Sequence, residues 1–259
     1  EDRKGFYRQG RHIQGHKRAR RDMPCGEGIQ RPDLSIGDGL YKSIDAGKTW
    51  MHLGLNDAQQ IGGISVDPKN ENRIFVAALG HPYGPNKERG VYRSLDGGKT
   101  LEQVFYLNEN TGAIQVTIDP NNSSIVYADI WAARQGPWEN GAWNGEASGL
   151  YKSTDGGANW AATTGQPASG WASGQGWYSL AVDINPNNTS QCIVGGLEPY
   201  KTTDGGATWT KIANWVGTSG QYVHADIHKI LWYDGGNKLI FGCDGGLHFS
   251  SDGGSTIRD

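Results

Sequence analysis

Long apolar runs are missing from this chain of 259 residues. Nothing approaches the roughly 18 apolar residues that a membrane-crossing helix requires, so no membrane span is expected. No extended 3.6-residue apolar pattern appears, and glycine and proline break the chain too often for a helical protein. Cysteine is scarce. Cys25, Cys192 and Cys243 lie far apart and fit neither a zinc spacing nor a disulfide framework. Each reads as a small buried or half-buried residue, which leaves the redox compartment open. A Walker loop, a Rossmann fingerprint and a Ser-His-Asp signature are also lacking; the Asp-Gly-Gly turns have no strand-to-helix context that would make them phosphate loops. No secretory signal is present, as a mature or partial chain would have lost one.

Charge of one sign is concentrated rather than abundant. Residues 1–22 carry eight Lys/Arg against Glu1, Asp2 and Asp22, while the remainder is net −8 within a total of −3. An acidic body argues against phosphate-backbone binding, so nucleic acid is not the expected partner. The basic start reads as an N-terminal extension over residues 1–22, a lead-in crossing a neighbouring surface.

Glycine, by contrast, is plentiful at 40 residues, beside 10 Trp and 11 Tyr. Many turns with many aromatics suit a sheet protein. One motif recurs five times: Ser43-Ile44-Asp45-Ala46-Gly47-Lys48-Thr49-Trp50, then its counterparts beginning at Ser94, Ser153, Thr202 and Ser250. Successive motif aspartates, Asp45, Asp96, Asp155, Asp204 and Asp252, are 51, 59, 49 and 48 residues apart. Each motif follows a short strand such as Gly90–Ser94. Each fits a glycine-rich hairpin in which the aspartate accepts backbone N–H groups and a following Trp packs between sheets. Between the motifs lie apolar strands ending in Asp67-Pro68, Asp119-Pro120 and Asn185-Pro186; the fourth place, at Asp234-Gly235, has lost the proline.

One unit is therefore strand A, a Pro/Asn turn, strand B, a variable loop, strand C, the Asp-containing hairpin and strand D. Four antiparallel strands in about 50 residues make a propeller blade, and one such sheet must stack on neighbours to bury both faces. A β-sandwich is the runner-up but gives no reason for one hairpin at this spacing. The fold expected is all-β, a β-propeller of four-stranded antiparallel blades. The propeller segment spans residues 23–259, with a partial blade over 23–53, blades over 61–107, 113–165 and 177–214, and a partial blade over 223–259. So few units suggest further blades from additional sequence or from another chain.

These motifs resemble those of the Asp-box (BNR) repeat propellers. The stretches Gly37–Ser43, Ala77–His81 with Gly84-Pro85-Asn86, Glu109–Ala113, His224–His228 and Cys243–Gly246 resemble bacterial secreted propellers related to the sortilin-type VPS10 domain. The resemblance implies a secreted or cell-surface location and a structural role for the motif aspartates. It transfers no catalytic residue, because members include sialidases, xyloglucan hydrolases, receptors and proteins without known activity.

Connectivity puts A–B turns and Asp boxes on one face, with the variable B–C loops and D–A links on the other, where a ligand would bind. The Trp131–Ser148 loop carries Trp131, Arg134, Trp138, Trp143 and Glu146; its indoles suit a sugar ring or a protein partner, or else fold the loop onto its own blade. Trp171, Trp177 and Tyr178 extend that surface. His224, Asp226 and His228, at i, i+2 and i+4, share a face at the start of the innermost strand A, near the central channel, with Asp244 and His248 approaching from strands B and C. That cluster reads as a hydrogen-bonded polar plug, a substrate site or a transition-metal site. No other cofactor is expected. Hydrolysis needs two carboxylates across a cleft, for which Glu88, Glu146, Glu198, Asp226 and Asp244 are available, with Asp226 and Glu146 singled out. The preferred reading is a propeller binding a peptide, protein or glycan ligand. The alternatives are a glycoside hydrolase acting at the same face and a structural domain of a larger secreted protein.

Overall fold

Each Asp-box hairpin is closed by its own side chains, and this local closure sets the strand pairing. In the second box the Ser94 hydroxyl donates to Asp96 (2.8 Å) and accepts from the Gly98 N–H (2.8 Å). The Asp96 carboxylate then accepts the Thr100 N–H (2.9 Å) and hydroxyl (2.7 Å). The same set of bonds recurs around Asp45, Asp155, Asp204 and Asp252, with Thr202 replacing serine once and Asn159 replacing threonine once. Two consecutive glycines hold positive φ in the last four boxes, as at Gly97 (74°) and Gly98 (92°), a conformation glycine adopts most readily; in the first box Ala46 (60°) takes the first place before Gly47 (86°). Hydrogen bonding from Thr100 and Ser94 holds the Asp96 carboxyl down at about 2. Asp45, Asp155 and Asp252 sit equally low, and Asp204 is lowered by the same kind of contact.

The structure, a computed structural model, describes residues 6–9, 37–81, 84–132, 148–168, 171, 176, 178–217 and 220–259. Among them the chain forms five successive antiparallel sheets. The first holds β1 (Phe6–Gln9), β2 (Leu40–Ser43) and β3 (Met51–Gly54). Phe6–Gln9 thus supplies a strand, paired with β2, from within the segment read as a basic extension. The second sheet holds β4 (Ile61–Asp67), β5 (Asn70–Ala78), β6 (Gly90–Ser94) and β7 (Glu102–Phe105). The third holds β8 (Thr111–Ile118), β9 (Val126–Ala132), β10 (Gly149–Ser153) and β11 (Ala161–Ala162). The fourth holds β12 (Ala181–Ile184), β13 (Cys192–Gly195), β14 (Pro199–Thr202) and β15 (Thr210–Lys211). The fifth holds β16 (Ile227–Tyr233), β17 (Lys238–Cys243) and β18 (Gly246–Ser250), and an antiparallel bridge from Phe249 to Arg258 begins the fourth strand position. Strand order follows the chain in every sheet, which is the meander of a propeller blade.

Alternation along each B strand sends side chains to two different cores. Ile74 and Val76 pack with Leu40 and Ile61 toward the first sheet, whereas Phe75 packs with Val116 and Ile130 of the third. Val126 and Ala128 join that second core, while Tyr127 turns to Val182 and Cys192 of the fourth sheet. Ile193 in turn meets Ile230 and Phe241 of the fifth. Both faces of the inner sheets are therefore buried by stacking, as period-2 strands require. Trp160, after the third box, stacks on Phe105 of the preceding sheet with ring centroids 5.5 Å apart.

A cation spans each junction. Lys42, Arg93, Lys152 and Lys201, each just before its box serine or threonine, donate to the carbonyls of Gly97, Gly156, Gly205 and Gly253 in the next box, at 2.7–3.1 Å. In the fifth sheet Phe249 occupies this place. Its cross-strand row, Leu231–Ile240–Phe249, leaves Leu231 46% and Phe249 39% exposed and Ile240 only half-buried, where Phe75, Tyr127 and Ile193, the equivalents of Ile240, are fully buried.

Candidate functional site

The short turns and boxes meet at one edge of the stack. The first glycine N–H of each of the last four boxes donates to the A–B turn of its own sheet, as in Gly97 N–H to Asn72 (2.9 Å) and Gly253 N–H to Asn237 (2.8 Å). The described residues of the variable loops fall at the opposite edge.

The His81–Arg89 loop is knotted around a buried guanidinium. Arg89 is fully buried and donates to the carbonyls of Glu109 (2.8 Å), His81 (2.8 Å) and Leu79. Asn86 is also buried and donates to the Asp57 carboxylate (2.7 Å), while Glu88 accepts the Ala58 N–H (2.7 Å). Glu88 is thereby committed to holding the loop. Glu198 is likewise engaged, by Lys211 at 3.1 Å.

The Trp131–Ser148 loop begins differently from its sequence expectation. Trp131 lies within β9, 4% exposed, packed with Leu180 and Val194 between the third and fourth sheets. A Cβ on Gly176 would meet its indole at 2.4 Å, so the ring is sealed from that side. Trp131 is a core residue, because the strand continues two residues beyond the expected loop start. Arg134, Trp138, Trp143 and Glu146 lie outside the described residues, as does Trp177. Trp171 is buried in the same core.

The link into the fifth sheet builds the polar cluster. The reading of His224, Asp226 and His228 as one strand face is corrected by the backbone. Asp226 has φ of 65°, β16 starts only at Ile227, and the register slips between Ile227 and Lys229. Alternation does not run through the three residues, and each side chain goes elsewhere. His224 points Nδ1 at the Ala225 carbonyl (3.0 Å), and its N–H donates to Nε2 of the buried His248 (3.2 Å). Asp226 accepts the Ser179 hydroxyl (3.2 Å). His228 places Nδ1 against the Tyr178 carbonyl (3.1 Å) and Nε2 against the Asp244 carboxylate (2.7 Å). The Tyr178 hydroxyl donates to both Asp244 oxygens, at 2.9 and 3.0 Å. Among the described residues no group of three His, Cys, Asp or Glu side chains could hold a metal ion.

Both ring nitrogens of His228 thus face oxygens, the Tyr178 carbonyl on one side and the Asp244 carboxylate on the other. The His228 contact, followed by that of Tyr178, lowers the Asp244 carboxyl below its usual range. Asp244 is then a persistent carboxylate at the rim, suited to a base, a nucleophile or a hydroxyl acceptor and unsuited to a general acid. Cys192 and Cys243 are free, buried and half-buried respectively; Cys25 lies outside the described residues.

Sequence reasoning weighed Tyr178 only as extra surface and passed over Trp215. Trp215 lies on the link that also carries His224–His228, and its indole is 48% exposed. Its presence in a variable loop was the available signal.

The stacked meanders and their one-sided loops define a β-propeller. No family model matches the chain. It is similar to a xyloglucanase of Hypocrea jecorina, 31% identical over 242 residues that cover 83% of this chain and 25% of that protein. It is also similar to a xyloglucanase of a Paenibacillus species, 30% identical over 146 residues covering 49% of this chain and 13% of the relative. The chain therefore spans a quarter or less of these curated relatives. Among solved structures, an ancestral GH74 enzyme aligns with a TM-score of 0.58 at 21% identity, covering 84% of this chain and 25% of that one. That likeness supports the fold.

Proposed function

We propose that the chain is part of a glycan-acting propeller, a glycoside hydrolase of xyloglucanase type, with its ligand at the rim formed by Tyr178, Asp226, His228 and Asp244. The similarity to xyloglucanases over most of the chain carries this reading and favours it over the binding-only expectation. The chemistry at the rim is compatible with it. Asp244 supplies a carboxylate held ionised by Tyr178 and His228, and the complementary acid would come from Asp226, from Glu146 or from outside these residues. Residence outside the cell or at its surface belongs to the same proposal, as does coverage of the Leu231–Ile240–Phe249 row by a further sheet.

Reducing-sugar release from xyloglucan tests the reading. Activity that drops roughly a hundredfold or more in Asp244→Asn or Asp226→Asn, with folding retained, supports it. No release and no binding of any β-glucan sinks it.

A second reading keeps its place because the cluster satisfies itself: Asp244, His228 and Tyr178 bond one another and Asp226 is held by Ser179. In that reading the same residues brace the rim of a sortilin-like binding propeller, and a peptide, protein or glycan binds without turnover. Saturable ligand binding that survives Asp244→Asn, without product formation, separates the two.

A further inference from the structure

His248 is a buried histidine whose two ring nitrogens have different partners. It lies on β18 opposite Phe241, on the side of the fifth sheet that meets the fourth. Its Nε2 accepts the backbone N–H of His224 (3.2 Å). An amide N–H can only donate, so this bond requires an Nε2 without a proton. The neutral ring then carries its one proton on Nδ1, which lies 2.6 Å from the Asp259 carboxylate, an ion-pair approach rather than an aligned hydrogen bond. Three further titratable groups stand around the ring. Tyr222, on the link, sets its ring edge-on at 5.6 Å; His224 is its neighbour there; Cys243 stands two residues from Phe241 along β17. Asp183 also enters this junction from the fourth sheet, but bonds the Trp232 N–H (2.8 Å), and Asp226 is held by Ser179.

His224 carries the contact onward to the rim. A Cβ on Gly245 would meet His224 at 2.5 Å, so the His224 side chain lies against the backbone of the Asp244–Gly245 turn. Tyr178 and His228 hold Asp244 of that turn from the other side. A buried ring is thus joined to the rim carboxylate by contacts in series. We infer that His248 is a proton-operated latch beneath the rim, a regulation of the site on which the glycan reading rests: with Nε2 bare it holds His224 and the Asp244 turn in place, and doubly protonated it releases them. A second proton turns Nε2 from an acceptor into a donor aimed at another donor, and the His224 N–H loses its partner. The charge so gained is drawn to Asp259 and away from the link. Histidine is the side chain whose ordinary titration lies in the mildly acidic range, so acidification of the surroundings is enough to drive the step.

NMR of the isotope-labelled chain tests the latch without any ligand. Imidazole nitrogen shifts read the tautomer of His248, and amide exchange reads the His224 N–H. At about pH 8, above the ordinary histidine range, the ring is expected to be protonated on Nδ1 alone. As it takes up its second proton, protection of the His224 amide should fall roughly tenfold or more over the same pH interval, and the Gly245 amide should shift with it. His248→Gln offers an acceptor that does not titrate; in it His224 protection should stay level while the His224 and His228 rings still titrate. A neutral ring protonated on Nε2 overturns the latch. So does His224 protection that ignores the protonation of His248, or that falls equally in His248→Gln, or a ring that stays neutral until the protein unfolds. Should His248→Gln fail to fold, the coincidence of the two wild-type titrations decides. Reducing-sugar release judges the glycan reading separately, so either can fail alone.

Discussion

Asp129 should make the stack less stable as pH rises, and its amide variant should remove that loss. The residue is fully buried on β9, where Gln115 and Leu150 are its cross-strand neighbours, and neither carboxyl oxygen has a hydrogen-bond partner. It points to the same side as Tyr127, into the core between the third and fourth sheets, and it is close enough to raise the Cys192 thiol. Burial alone pushes its carboxyl well above the usual 3.8. The folded protein therefore keeps a proton that the unfolded chain releases. Stability from this group is complete below the ordinary aspartate range and is lost as pH climbs toward the folded value. While the proton remains on the folded side only, each pH unit costs about 1.4 kcal/mol. Asp129→Asn keeps the shape and cannot ionise. The stability difference between variant and wild type should grow in the variant's favour as pH rises from 5 to 7, by no more than about 1.4 kcal/mol per unit. Urea unfolding at pH 5, 6 and 7 measures it, provided the m-value stays constant. Parallel curves for the two proteins, with a pH-independent offset, would refute the reasoning.

Asp183, raised to about 6 mainly by burial, accepts the Trp232 N–H (2.8 Å) across the fourth junction; its destabilising contribution should build from about pH 4 and level off above pH 6, so the Asp183→Asn difference should flatten there in the same assay. Ser94→Ala leaves the buried Gly98 N–H without its acceptor and should cost about 1–3 kcal/mol in a thermal or urea melt, whereas Ser94→Thr, the residue used at Thr202, should be near neutral. A Cβ on Gly112 would meet the Leu79 carbonyl oxygen at 2.2 Å, so Gly112→Ala should lose about 1–3 kcal/mol or more by forcing the second and third sheets apart. Lys152→Met removes the bond to Gly205 (3.1 Å) and the contact over the Tyr127 ring (5.0 Å), and a Tm drop of only a few degrees is expected, because half-burial already disfavours the ammonium.

The repeat was legible because its information is local. A serine, an aspartate two residues on, two residues of left-handed backbone and a threonine close one hairpin by themselves, wherever it sits. Five copies at similar spacing therefore reveal the period, and the strand before the second box was bounded as found, Gly90–Ser94. The junction chemistry was equally local and yet went unread. Lys42, Arg93, Lys152 and Lys201 all precede a box, but a cation on a strand is usually a solvated one. Only the stacking shows that each reaches the next hairpin.

The site was harder to read for a reason that applies to any propeller. Period-2 alternation identifies a face only while the backbone stays extended, and Asp226 at φ of 65° ends that regime one residue before β16. The side chains expected to converge within one strand instead bond outward to Tyr178 and Ser179, some 50 residues earlier in the chain. What joins them is the junction between the fourth and fifth sheets. Such a cluster has no signature in either strand alone, because neither hydrogen-bond partner is local. The consequence is specific: Tyr178→Phe removes one donor from Asp244 but leaves the His228 contact, so it should raise the Asp244 carboxyl part of the way toward its usual value without separating the sheets. NMR titration of that carboxyl reads the change directly. An unchanged titration would mean that Tyr178 does not hold Asp244 in solution, and the rim would lose the contact that keeps its carboxylate charged.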